Sequence, residues 1–137
     1  MVDKRLKLNM IFGILRNIVL LTLLIVASHL LAVPFGIVLS TVLDIGGSFA
    51  GDTFEYYMFG LPLAATFLLV FVFVIFGGKY KLWWIGIAAV PILWFEFELA
   101  PILFVFSVLL SAIGCWLGLQ VSIYLRKTAP TFMLKIG

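Results

Sequence analysis

Four apolar runs, at about 11–33, 57–76, 82–95 and 102–125, take up most of this chain of 137 residues. A helix that crosses the ~30 Å hydrocarbon core of a bilayer needs about 20 apolar residues, since each adds ~1.5 Å. The first, second and fourth runs reach that length. The third is shorter and stops before Glu96. No stretch is left over for a soluble domain. Composition agrees: hydrophobic residues make up 65% and charged residues 11%, against roughly 45–50% and about 25% in soluble domains. The expected fold class is all-α: an integral membrane four-helix bundle of two consecutive transmembrane hairpins, forming a single domain over 1–137.

The charges sort by side. Lys4, Arg5, Lys7 and Arg16 precede or begin the first run, Lys79 and Lys81 separate the second from the third, and Arg126, Lys127 and Lys135 follow the fourth. Threaded through four helices, all of these fall on one face. Asp44, Asp52, Glu55, Glu96 and Glu98 fall on the other, and only Asp3 sits among the basic residues. Basic loops are retained in the cytoplasm, so both termini are expected there. A three-helix or five-helix threading would scatter the basic residues over both faces. The first run is long enough to span and lacks an early A-x-A-like cleavage site, so it reads as a retained helix. A bacterial plasma (inner) membrane is the expected location.

Pro34 cannot donate the next helical hydrogen bond and is expected to stop the first helix. The nine residues 35–43 are apolar but too few to span, which suggests a short interfacial helix; a segment that dips into the bilayer or packs back on the bundle, and an extension of the first helix past a kink at Pro34, are the other options. The Gly-rich stretch 44–52 has the composition of a turn. The third helix, expected at 82–95, contains Pro91, and the sequence Trp94-Phe-Glu-Phe-Glu-Leu-Ala-Pro101 reads as an outer turn carrying two acids. On a helix those two carboxylates would lie about 200° apart.

Two groups of residues stand out as candidate sites. Ser107, Ser111, Gly114, Gly118 and Ser122 recur every three or four positions along the fourth helix, and Gly114 to Gly118 is a GxxxG match. Small residues let helix backbones approach closely in lipid. The stripe suits either internal packing or a seam for a second chain, with Gly60, Ala64, Gly86 and Ala89 as possible facing grooves. The second group is Glu96, Glu98 and His29, an ion or proton site if any of them is held at membrane depth, where an ionisable group needs a role or a partner. His29 is expected about one turn from the outer end of the first helix. Arg16 suits snorkelling to lipid phosphates. Tyr56, Tyr57, Trp83, Trp84, Trp94 and Tyr124 fall near the expected interfaces, as amphipathic rings do.

Other chemistry has no footing in these residues. The single histidine and single cysteine, His29 and Cys115, do not suit a zinc or copper site, and one cysteine makes no disulfide. Walker, dinucleotide-fingerprint, HExxH and GxSxG patterns are absent from the sequence. The basic residues form no soluble patch for nucleic acid. No enzymatic role, cofactor or metal is expected. The expected function is that of a small membrane protein that packs against another membrane protein, as an accessory, assembly or immunity-type subunit. The alternative is a small oligomeric transporter or channel that uses Glu96 and Glu98. The expected partners are the lipid bilayer and either another integral membrane protein or a second copy of the chain.

Overall fold

The computed structural model describes residues 2–43 and 53–131. These form four helices: α1, Val2–Leu43; α2, Thr53–Phe76; α3, Lys81–Leu99; and α4, Pro101–Thr128. All four are long and apolar enough to cross a membrane. The Gly-rich stretch 44–52 and Lys135 lie outside the described residues.

Helix α2 is the centre of the bundle. It packs against each of the other three, and half of its most apolar stretch is buried, compared with 6% of that of α3. Two clusters hold the packing together. Leu24 of α1 meets Leu69 and Phe73 of α2, and farther along Leu39 meets Leu63 of α2 and Leu103 of α4. The outward faces of α1, α3 and α4 carry exposed Leu, Ile and Val, with exposed Trp on α3 and α4, a surface suited to lipid rather than to water.

Helix α1 corrects two expectations. It does not stop at Pro34; residues 35–43 are its last turns and not a separate interfacial helix. The reason lies in what those turns bury. Gly36 lies against the Tyr56 backbone and Leu39 is 3% exposed in the second core cluster, so packing offsets the one hydrogen bond that Pro34 forfeits. The 42 residues of α1 extend ~63 Å, about twice the hydrocarbon thickness. His29 consequently lies well inside the helix, fourteen residues before Leu43, and not one turn from its end.

Contacts along α1 set its register against α2. Gly36 faces Tyr56, Ala32 faces Gly60, and Arg16 reaches Gly78 just past the end of α2. The hairpin is antiparallel, and the opening turns of α1 run beyond the α2–α3 connection. At Gly36 and Gly60 the two backbones approach directly. A Cβ on Gly60 would lie 2.5 Å from the Gly36 nitrogen and closer still to the Ala32 carbonyl oxygen.

The connections are tight. Gly77 and Gly78 end α2, with Gly77 N–H donating to Phe73 O at 2.9 Å and Gly78 at φ 66°, a conformation that glycine adopts at no steric cost. Between α3 and α4 a single residue, Ala100, is extended (φ −161°, ψ 115°), and Pro101 opens α4. Proline disfavours the helical conformation for the residue before it, yet suits the first helical position itself. The Ala100 N–H still closes α3 by donating to Glu96 O at 2.8 Å. Helix α3 therefore continues through Glu96 and Glu98, four residues beyond the expected end at 95.

Candidate functional site: a buried carboxyl between three helices

The Ala100–Pro101 reversal folds the end of α3 back along the start of α4. Phe97 meets Phe104 edge-on at 6.0 Å between ring centroids. One residue earlier, Glu96 points the other way, into the bundle. It is fully buried, and the Ser107 hydroxyl donates to its Oε1 at 2.5 Å. Ser107 is itself fully buried, and the Thr66 hydroxyl of α2 lies 3.4 Å from its oxygen. The single Thr66 hydroxyl proton can point toward Ser107 or toward Pro62 O at 2.9 Å, one turn back in α2. Three helices thus contribute one polar side chain each to a short chain running Thr66, Ser107, Glu96.

This chain ends on an oxygen without a hydrogen-bond partner. Among the described residues, Glu96 Oε2 is the one buried side-chain nitrogen or oxygen atom with no hydrogen-bond partner. A buried polar atom left without a partner costs roughly 1–3 kcal/mol. A carboxyl oxygen here can carry a proton, or accept a hydrogen bond from a donor that enters the bundle. No group of three or more metal-ligating side chains forms among the described residues.

The other candidate residues are placed elsewhere. Glu98 is exposed on the opposite side of α3, as the ~100° advance per residue requires. His29 is exposed on α1, and its Nδ1 hydrogen-bonds the Tyr57 hydroxyl of α2, with the two rings stacked at 5.9 Å. Glu96, Glu98 and His29 do not converge on one site. Sequence reasoning had assigned Tyr57 to the interface and had not singled out Thr66. The available signal for Thr66 was a lone hydroxyl within the otherwise apolar run 61–76.

The small-residue stripe of α4 turns inward. Ser107, Gly114, Gly118 and Ser122 are buried, and Ser111 is half-buried. A Cβ on Gly114 would stand 3.0 Å from Phe67 O; one on Gly118 would stand 3.0 Å from Val74 Cγ1 and 3.1 Å from Phe71 O. These glycines therefore seat α4 on α2 of the same chain. Gly60 faces α1 instead of α4, and Gly86 has nothing within 4 Å of a would-be Cβ. The stripe and the acid, separate features in the sequence, meet at Ser107. Compared with known proteins, the chain matches no family model, no curated protein and no solved structure.

Proposed function

We propose that the protein is a small, non-enzymatic, multi-pass protein of the plasma membrane, with both termini cytoplasmic, and that it works as an oligomeric proton carrier or channel centred on Glu96. The observation that carries this reading is the unpartnered Oε2 of a fully buried carboxyl whose other oxygen is held by Ser107. Ionisable groups within membrane helices are costly and mark ion or proton pathways by default. Thr66 and Ser107 supply hydroxyls that can pass or orient a proton along the chain of hydrogen bonds. Four helices enclose little space of their own, so a continuous path requires more than one copy.

Reconstitution tests this directly. Liposomes containing the protein, loaded with a pH-sensitive dye and polarised by a potassium gradient with valinomycin, are expected to acidify faster than empty ones. Glu96→Gln keeps the shape but removes the titrating group, and is expected to lower the protein-dependent rate at least tenfold. Glu98→Gln, on the exposed side of α3, is expected to leave it within about twofold. Equal rates for wild type and Glu96→Gln would refute the reading, as would a wild type no faster than empty liposomes.

A second reading rests on α3. Its outer face carries exposed Trp83, Ile87, Val90 and Trp94 around the open Gly86, a surface on which a helix of another membrane protein could pack closely. An accessory or assembly subunit would use that face rather than the α4 stripe. The readings separate on purification: a stable complex with a different membrane protein supports the second, and self-assembly alone supports the first.

A further inference from the structure

At the end of the bundle opposite Glu96, α1 passes the α2–α3 connection and leaves a cleft of about 540 Å³. Arg16 and Lys79 line it, together with Asn9, Asn17, Tyr80 and Trp84. No acidic side chain is among its lining residues. The one acid in the described opening turns of α1, Asp3, is 3.5 Å from Lys7. Arg16 lies at this connection: its Nε donates to Oδ1 of the buried Asn17 at 3.4 Å, and its guanidinium packs on Gly78. Lys79 approaches from the facing turn, its Nζ 5.8 Å from the centre of the Tyr80 ring. Helix α3 begins at Lys81, directly beside Tyr80, so the positive pole of its dipole adds to the same field.

A guanidinium, an ammonium and two amides line this one cleft beside two amphipathic rings, where α2 ends and α3 begins. Arginine forks match phosphate oxygens, and basic pockets between membrane helices accept anionic headgroups. We propose that this cleft binds a phosphate group, and specifically the headgroup of an anionic phospholipid, between Arg16 and Lys79. Tyr80 and Trp84 flank the glycerol region, as aromatic side chains do at membrane interfaces. The proposal is independent of Glu96, which lies at the other end of the bundle.

The test is native mass spectrometry of the full chain in mild detergent, with dioleoyl phosphatidylglycerol or dioleoyl phosphatidylcholine added. Wild type is expected to retain phosphatidylglycerol about tenfold better than phosphatidylcholine. Arg16→Gln/Lys79→Gln is expected to erase that preference, whereas Lys4→Gln/Lys7→Gln, with the same loss of charge on the exposed opening turns, is expected to keep it. Lys79→Gln alone, on an exposed turn, is expected to lower the preference severalfold, and serves if the double variant fails to insert. Unchanged binding by millimolar inorganic phosphate supports the lipid source; displacement by it assigns the cleft to free phosphate and overturns that source. Equal retention of the two lipids by wild type, or an equal loss in both double variants, would overturn the proposal.

Discussion

Gly60→Ala, a gain of a single methyl group, is expected to cost the fold about 3 kcal/mol or more, at the upper end of what overpacking produces. The added carbon would collide with the Ala32 carbonyl oxygen and stand 2.5 Å from the Gly36 nitrogen. Both obstacles are backbone, which no rotamer change can clear. Relief requires α1 and α2 to separate along the crossing at Ala32, Gly36 and Tyr56, which loosens the contact of Leu39 with Leu63 as well. Gly86→Ala is the matched control. Nothing lies within 4 Å of its would-be Cβ, and alanine favours helix over glycine by up to ~1 kcal/mol. Thermal unfolding in detergent should therefore show a large fall in midpoint for Gly60→Ala and none for Gly86→Ala. Equal midpoints would mean that the close crossing is absent in the membrane.

The second large effect separates stability from function at Glu96. Ser107→Ala alone removes the one hydrogen bond to Oε1 and leaves both carboxyl oxygens without partners, at an expected cost of about 1–3 kcal/mol. Glu96→Leu/Ser107→Ala removes both polar partners together. Replacing a buried polar pair by apolar groups of similar shape is nearly neutral or stabilising. The double variant is accordingly expected to melt within about 1 kcal/mol of wild type or above it, while proton flux is lost. A carboxyl kept only to hold α3 on α4 predicts the reverse order, with the double variant the least stable of the three.

The elements themselves were legible because each of the four runs is apolar over most of its length, a signal that survives any uncertainty in packing. Their ends were less so. Glu96 and Glu98 read as the end of α3 because charge ordinarily marks the membrane surface. The actual end is at Ala100, which is extended ahead of Pro101, a conformation that a following proline favours. Pro34 read as a stop for the same general reason that proline breaks helices in water. Here the turns beyond it are held by contacts with Tyr56 and Leu63, residues distant in sequence.

The site was visible in parts only. Glu96 and Ser107 each stand out in the sequence, but they are eleven positions and a chain reversal apart, and helical periodicity says nothing about which face of α4 a particular side chain of α3 will meet. The regular spacing of the α4 stripe suggested a seam without revealing which helix occupies it. Phe67, Phe71 and Val74 of α2 do so. The Gly36–Gly60 crossing went unread because one glycine lies beyond Pro34, where a separate segment was expected.

The most direct test is infrared difference spectroscopy of the protein in lipid, recorded as the bathing solution is cycled between acidic and alkaline pH. A carboxyl that takes up and releases a proton shows a protonated C=O stretch that appears and disappears reversibly, and shifts when water is replaced by heavy water. Such a band is expected in wild type, displaced in Ser107→Ala by loss of the hydrogen bond to Oε1, and missing from Glu96→Gln. A carboxyl signal that is identical in wild type and Glu96→Gln, or one from Glu96 that never changes across the cycle, would contradict the assignment of Glu96 as a working proton site.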